Sequence, residues 1–119
     1  MHELSLAMSV DSIVRRQMAA YPGARLTAIE IEIGSHSGVD VPSFHTAIES
    51  VILTSPWPNA EAVLTIIPAR FQCLDCDTEF TTRESAPDEY YPACPHCGSR
   101  QSLPVSGREF RLTAIRLDK

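Results

Sequence analysis

All four cysteines of this 119-residue chain lie in two CxxC pairs, Cys73 with Cys76 and Cys94 with Cys97. Two intervening residues let the chain fold back so that both sulfurs reach one ion. Two such turns supply four thiolates in the tetrahedron that zinc prefers, with Zn–S distances of about 2.3 Å. Gly98 follows the second pair and permits the positive-φ turn of a zinc knuckle. Because four sulfurs leave no open position for a substrate, the spacing predicts a structural rather than a catalytic zinc.

Other thiol chemistries make different demands on the chain. Two disulfides would require an oxidising compartment, whereas the N-terminus shows no signal peptide and a cytoplasmic location is expected. A thioredoxin-like centre needs a CxxC that opens a helix after a strand, and neither pair is predicted to have that context. Four thiolates also bind iron, so a rubredoxin-like iron site stays an alternative. A redox protein that uses these pairs without zinc is a further alternative, which readily oxidised thiols would support.

His2 is the next candidate ligand. The α-amine of Met1, the amide nitrogen of His2 and its imidazole Nδ1 could chelate one ion through fused rings. Ni(II) and Cu(II) promote the loss of the amide proton far better than Zn(II), because they prefer square-planar nitrogen donors. The amide of Glu3 or an outside ligand would complete the plane, and the Glu3 side chain could ligate the metal, orient His2 or contact a partner. Met1 is expected to be retained, since His2 is bulky.

The residues alone leave this nickel site open, because a histidine at position two also occurs by chance at frayed, exposed termini. Asp40 is interpreted as a helix N-cap, with a carboxylate close to His2 as the alternative. His36 lies in a loop between glycine and serine residues, where it would be free to move and could touch metal. His45 is expected at the surface. Trp57, between two prolines, is interpreted as a packing residue rather than a partner contact.

Composition excludes several classes of protein. The formal net charge of -5 argues against binding to nucleic acid, which favours a basic surface. No apolar run approaches the roughly 20 residues that span a bilayer, so no membrane association is expected. The sequence contains no GxSxG, P-loop or HExxH motif, and no enzymatic activity is predicted.

Hydrophobic periodicity predicts the elements that would position these residues. Leu6, Val10, Ile13, Val14 and Tyr21 recur at helical spacing and predict a helix over about residues 4–20. Strands are predicted over 26–33, 62–67 and 110–117, and a second helix is predicted to start near Asp40. The fold class is therefore α+β, a small three-stranded sheet with two helices on one face.

The segment 70–106 differs in character and holds all four cysteines. Its apolar content is too thin for a core of its own, so it is expected to need a metal. We therefore predict two domains. Residues 1–69, completed by a C-terminal strand at 107–119, form a metal-binding α/β domain, and residues 70–106 form an inserted zinc-ribbon-like domain.

The order of motifs resembles one family along essentially the whole chain. Met1-His2-Glu3 begins the sequence, and an isoleucine-rich strand ends at Ile33-Gly34. Two CxxC pairs then precede Gly107-Arg108-Glu109-Phe110 and a final strand. This combination is similar to that of the hydrogenase nickel-incorporation accessory proteins, the HypA/HybF family. Some members carry a histidine directly after the last cysteine of a pair. Here Gly98 has that position and His96 lies inside the pair, where it is interpreted as an exposed knuckle residue.

The resemblance implies a nickel metallochaperone for maturation of [NiFe]-hydrogenase. It implies His2 as the essential nickel ligand with Glu3 beside it, and a structural zinc on the four cysteines. It further implies work with a maturation GTPase and docking on the precursor of the hydrogenase large subunit; in some bacteria the family also supplies urease. A monomer and a homodimer are both compatible with the sequence. The alternative function is a zinc-ribbon interaction module without a role in nickel transfer, which salt-dependent binding to nucleic acid would support.

Overall fold

The computed structural model describes residues 2–81 and 92–119. The described chain forms two helices and six strands, which confirms the α+β class. In chain order they are α1 (His2–Met18), β1 (Arg25–Gly34), α2 (Val41–Leu53), β2 (Glu61–Ile67), β3 (Arg70–Cys73), β4 (Glu79–Thr81), β5 (Ser102–Ser106) and β6 (Phe110–Asp118). The strands form two sheets of three, ordered β2-β1-β6 and β4-β3-β5. Within the described residues, no helix is long and apolar enough to cross a membrane.

Helix α1 buries a narrower face than the one predicted. Ala7, Val10, Val14 and Met18 are buried along one stripe at helical spacing. The prediction was wrong for Ile13, which is 40% exposed, and for Tyr21, which is 42% exposed and lies beyond the end of the helix. Ala7 is fully buried instead, and α1 packs against α2.

Strand β1 lies at the centre of the first sheet and supplies much of its core. Ile29, Ile31 and Ile33 are almost fully buried, as their alternation with glutamates predicted. Glu32 and Glu30 lie between these isoleucines and form ion pairs with Arg111 (2.7 Å) and Arg116 (2.8 Å) of β6. Over residues 29–33, one surface of the strand is therefore apolar and the other carries charge pairs.

Helix α2 begins with the predicted cap. The Ser43 hydroxyl donates to Asp40 Oδ2 at 3.0 Å, and the Asp40 side chain also accepts from the Ser43 backbone N–H. Pro42 lies in the first turn, where its missing N–H is not needed. Phe44, Ile48 and Ile52 are buried at spacings of four residues and face the core.

The described chain divides into two units. The first comprises residues up to Glu32, Val39–Thr65 and Arg111–Lys119, and the second comprises Ile33–Gly38 and Ile66–Phe110. The first unit contains both helices, and the second contains all four cysteines. The predicted domain bounds, 1–69 with 107–119 and 70–106, stay a prediction.

The second sheet was not predicted strand by strand. Strand β3 pairs with β4 in an antiparallel hairpin, with Phe71 opposite Phe80. On its other edge β3 pairs with β5, with Cys73 opposite Ser102 and a bulge between Arg70 and Phe71. These strands have three to five residues, too few for a periodicity signal.

Gly34 and Gly107, in the second unit, lie in close backbone contact. The Gly34 N–H donates to Glu109 O and the His36 N–H donates to Gly107 O, each at 2.7 Å. A Cβ on Gly34 would overlap the Gly107 carbonyl and lie 2.5 Å from the Arg108 nitrogen. Gly107 also has a φ of +111°, which disfavours an L side chain. This close contact explains why glycine occurs at the end of β1 and directly after β5.

Candidate metal centre

The structure brings the four predicted cysteine ligands together. Their sulfurs all lie within 4.8 Å of one another. Cys73 Sγ is 3.5 Å from Cys97 Sγ, and Cys76 Sγ is 3.7 Å from Cys94 Sγ. Four sulfurs placed 2.3 Å from one ion at the corners of a tetrahedron would be about 3.8 Å apart, whereas a disulfide requires about 2.05 Å. The four free thiols are therefore spaced to share a metal ion.

Each CxxC pair lies in the same kind of turn. The Cys73 N–H donates to Thr78 O and the Asp77 N–H donates to Cys73 O, at 2.8 and 3.0 Å. In the second turn the Cys94 N–H donates to Ser99 O and the Gly98 N–H donates to Cys94 O, both at 2.8 Å.

The residue after each second cysteine has a positive φ, +62° at Asp77 and +79° at Gly98. The positive φ expected at Gly98 is confirmed. We name these two turns knuckle 1 (Cys73–Thr78) and knuckle 2 (Cys94–Ser99).

A small apolar cluster supports the thiols. Cys73 and Cys94 are buried together with Phe71, Phe80 and Ala69, and Cys76 packs against this cluster. The rings of Phe71 and Phe80 stack with centroids 5.8 Å apart and an interplanar angle of 23°. Among the described residues this cluster is small, and the expectation that the segment needs a metal stays a prediction.

The surroundings of the sulfurs separate their pKa values. Hydrogen bonds from the Thr78 hydroxyl and backbone N–H favour the Cys76 thiolate and lower the pKa of Cys76 to about 6. The backbone N–H of Ser99 favours the Cys97 thiolate, but contact with Cys73, desolvation and the other two cysteines outweigh it and raise the pKa of Cys97 to about 12. The thiols therefore do not all ionise beside one another near neutral pH without a cation. A divalent metal supplies the positive charge that makes four adjacent thiolates favourable.

The N-terminal candidates lie at the start of α1. Met1 is outside the described residues, and His2 is the exposed first residue of the helix. Glu3 is half-buried, and its Oε2 accepts a hydrogen bond from the Asp40 backbone N–H at 3.1 Å. This bond from Asp40 is the main cause that lowers the pKa of Glu3, and the hydrogen bond from the Glu3 backbone N–H is the next.

Among residues 2–81 and 92–119, the four thiols are the one convergent set of three or more His, Cys, Asp or Glu ligand atoms. His2, Glu3 and Asp40 do not form a second such set. Asp40 has the predicted capping role, and its backbone N–H also holds the Glu3 carboxylate near the start of α2.

The other predicted positions have structural roles. His36 is half-buried, and its ring centroid lies 6.0 Å from that of Phe71; its freedom to move stays a prediction. His45 is exposed and pairs with Glu49 at 3.4 Å, and His96 is exposed as predicted. Trp57 is half-buried and lines a cavity of about 10 Å³ with core residues of both helices, which supports its interpretation as a packing residue.

Sequence reasoning missed four residues around the thiols. Asp77 adopts the left-handed conformation that Asp tolerates better than most residues. The Thr78 hydroxyl lies 3.2 Å from Cys76 Sγ, and the Ser99 hydroxyl donates to Asp75 Oδ2. A signal was available, because both pairs continue as CxxC followed by any residue and then a hydroxyl residue.

The chain matches one family of known proteins along nearly its full length. The model of the family described as hydrogenase/urease nickel incorporation, metallochaperone, HypA matches residues 1–117. A hydrogenase maturation factor HypA of Parabacteroides distasonis is 33% identical over 119 residues, covering 100% of this chain and 99% of that protein. A hydrogenase maturation factor HybF of Klebsiella pneumoniae is 30% identical over 115 residues, covering 97% of each.

Solved structures share the fold. The solution structure of the Ni metallochaperone HypA from Helicobacter pylori aligns with a TM-score of 0.61 at 21% identity, covering 97% of this chain and 96% of that one. A second HypA solution structure aligns with a TM-score of 0.62 at 24% identity. The match to the family and its named relatives spans the four-cysteine metal-binding site and the N-terminal segment alike. The chain therefore belongs to the HypA family of hydrogenase and urease nickel-incorporation metallochaperones.

Proposed function

We propose that this protein carries Ni(II) and delivers it to the precursor of a [NiFe]-hydrogenase large subunit during maturation. The observation that carries this proposal is membership of the HypA family over residues 1–117, which includes the Met-His-Glu start and both CxxC pairs. Nickel is the cargo, and the protein performs ligand exchange rather than a covalent reaction. The maturation GTPase and the large-subunit precursor are the proposed partners.

The nickel site we propose uses Met1, His2 and Glu3. The first amides of a helix have no acceptor within the helix, so the backbone nitrogen of His2 is available to a metal. The positive end of the helix dipole favours negative charge, including that of an amide nitrogen that has lost its proton. The Glu3 carboxylate adds a further negative charge, offsetting the repulsion between the dipole and the cation.

A terminal site of this kind suits delivery. His2 is exposed, so a recipient protein can approach the ion and replace ligands one at a time. The α-amine and the imidazole bind a metal only without their protons, so nickel affinity should fall in acid. A nickel site with few protein ligands in an accessible place can release its ion to a recipient, which delivery requires.

For the four-cysteine site we propose a structural Zn(II). Four thiolates in a closed tetrahedron suit zinc, and two of the cysteines are almost fully buried. The same donors bind iron, so metal analysis of protein purified without tags decides between the two metals. We expect one zinc per chain; one iron per chain with the visible absorption of a ferric thiolate centre would overturn this assignment.

Nickel binding is tested by calorimetric titration of Ni(II) into untagged, zinc-loaded protein. The wild type should bind one Ni(II) per chain, and His2→Ala should lose this binding while keeping its zinc and its fold. His45→Ala is the matched control, because His45 is another exposed histidine of the same unit and should leave the affinity unchanged. A two-residue extension before Met1 removes the chelating amine and should weaken binding like His2→Ala. Nickel affinity indifferent to His2 would refute the proposed site.

A further inference from the structure

We propose that Ser99 and Asp75 are positioning residues that hold the two knuckles together and thereby slow the release of the metal. The Ser99 hydroxyl, in knuckle 2, donates a hydrogen bond to Asp75 Oδ2, in knuckle 1. We name this bond the knuckle latch. Neither residue is a metal ligand, so the latch acts through the cysteines it positions. The inference rests on the proposed metal at the four cysteines and is independent of nickel transfer.

Ser99 is a junction of three hydrogen bonds. Its carbonyl accepts the Cys94 N–H at 2.8 Å and so closes knuckle 2. Its hydroxyl accepts the Gln101 N–H at 3.0 Å while donating to Asp75. The Leu74 N–H in turn donates to Gln101 O at 2.8 Å. Knuckle 1 is therefore tied to the chain leaving knuckle 2 at two adjacent residues, Leu74 and Asp75.

The two knuckles use equivalent hydroxyls differently. Thr78 and Ser99 each lie two residues after the second cysteine of a pair, and the carbonyl of each accepts the N–H of the first cysteine. The Thr78 hydroxyl contacts the sulfur of its own knuckle, 3.2 Å from Cys76 Sγ. The Ser99 hydroxyl instead reaches across to the other knuckle. Its role is thus not a general requirement of the turn, because the matching turn forms without such a bond.

Burial shows where metal release begins. Cys73 and Cys94 are buried and Cys76 is half-buried, but Cys97 is exposed. An attacking chelator therefore reaches the metal first beside Cys97. While the latch holds the knuckles at fixed separation, a detached Cys97 remains near the ion and rebinds before a second sulfur leaves. Without the latch, knuckle 2 can move away and the second detachment follows.

The test measures metal release from the full chain loaded with Zn(II), using excess of a chromophoric chelator. Residues that orient metal ligands from outside typically change metal affinity about 10–100-fold, so we expect Ser99→Ala and Asp75→Ala each to speed release about tenfold or more. Both variants remove the latch, and Ser99→Ala also removes the acceptor of the Gln101 N–H. The double variant should therefore release no faster than the faster single variant. Ser99→Thr and Asp75→Asn keep a donor and an acceptor and should release at nearly the wild-type rate.

Two further measurements distinguish a loss of cysteine positioning from the loss of a metal ligand or of the fold. Co(II) substituted for Zn(II) should give the absorption of four thiolates in every variant, because the ligands are unchanged. Ser43→Ala is the matched control, because it also removes a serine–aspartate hydrogen bond, the one of 3.0 Å to Asp40. Both residues are far from the cysteines in sequence, so this variant should leave the rate of metal release unchanged. If Ser99→Ala fails to load, Asp75→Ala decides, because it leaves the bond between Ser99 and Gln101 intact.

Wild-type release rates in both Ser99→Ala and Asp75→Ala would overturn the latch, as would rate increases that multiply in the double variant. A cobalt spectrum with fewer thiolates would also overturn it, because the variants would then act by losing a ligand. Failure of the wild type to bind one metal per chain would refute the proposed metal centre itself, a result that the initial loading measurement distinguishes from failure of the latch.

Discussion

Replacement of Gly34 by alanine should strongly destabilise the protein, although Gly34 has no positive φ and alanine has a small side chain. The added Cβ would overlap the backbone carbonyl of Gly107 and lie 2.5 Å from the Arg108 nitrogen, and real Cβ contacts essentially never fall under 3.0 Å. All three clashing atoms belong to the backbone, so no side-chain rotation relieves the overlap. The segments must separate, which breaks the bonds from Gly34 N–H to Glu109 O and from His36 N–H to Gly107 O.

The expected loss follows from these two bonds. A buried backbone group that loses its partner costs about 1–3 kcal/mol, so the variant should lose about 3–5 kcal/mol of unfolding free energy. Domains of this size have about 5–15 kcal/mol in total. Each kcal/mol shifts the thermal midpoint by roughly 4 °C, so the midpoint should fall by more than about 10 °C.

Denaturant and thermal unfolding of the metal-loaded protein measure this loss. Gly38→Ala is the matched control, because Gly38 has a φ of +83° but a Cβ there would meet nothing within 4 Å. It should cost only the backbone term, about 1 kcal/mol. If Gly34→Ala costs no more than Gly38→Ala, then the close approach of Gly34 and Gly107 is not what requires glycine.

Three further changes test other parts of the structure. Phe44→Ala removes a fully buried ring of α2 and should cost about 3–5 kcal/mol in denaturant unfolding; a loss below about 1 kcal/mol would mean that this core does not hold the helix. Gly98→Ala meets no atom within 4 Å but has a φ of +79°, so it should lower the stability of the metal-loaded protein by about 1 kcal/mol without changing the Co(II) spectrum, and an altered spectrum would contradict this. The lowered pKa of Glu3 means that its ionised form stabilises the fold above the unfolded-state pKa, and that this contribution is lost as pH falls through the lower folded-state pKa. The difference in unfolding free energy between wild type and Glu3→Gln should therefore be present at pH 7 and vanish in acid, and a difference independent of pH would refute the bond to Asp40.

Long, periodic elements could be predicted from the sequence. Helix α2 and strand β1 have apolar residues at clear spacings. Both bounds of β1 and the start of α2 were predicted to within one or two residues. The buried face of α1 was predicted less accurately, because Ala7 carries little hydrophobic signal while Ile13 and Tyr21 carry much. In the structure Ala7 is buried, whereas Ile13 and Tyr21 are exposed.

The spacing within each CxxC pair also predicted that the four thiols converge, because two intervening residues let both sulfurs of a pair reach one ion. The strands around them could not be predicted, because β3, β4 and β5 are short and form through pairing between distant segments. The latch between Asp75 and Ser99 likewise joins residues 24 positions apart. A pattern in one stretch of sequence does not encode such a contact.

Delivery of nickel is the central claim, and transfer to a recipient tests it most directly. The protein loaded with radioactive Ni(II) is mixed with a nickel-free hydrogenase large-subunit precursor and the maturation GTPase. A control reaction replaces the loaded protein with the same amount of radioactive Ni(II) buffered by a chelator. We predict that wild-type protein transfers label to the precursor faster than the buffered ion does, and that His2→Ala gives no advantage while His45→Ala transfers like wild type. Equal incorporation from wild type, His2→Ala and the buffered ion would contradict the account.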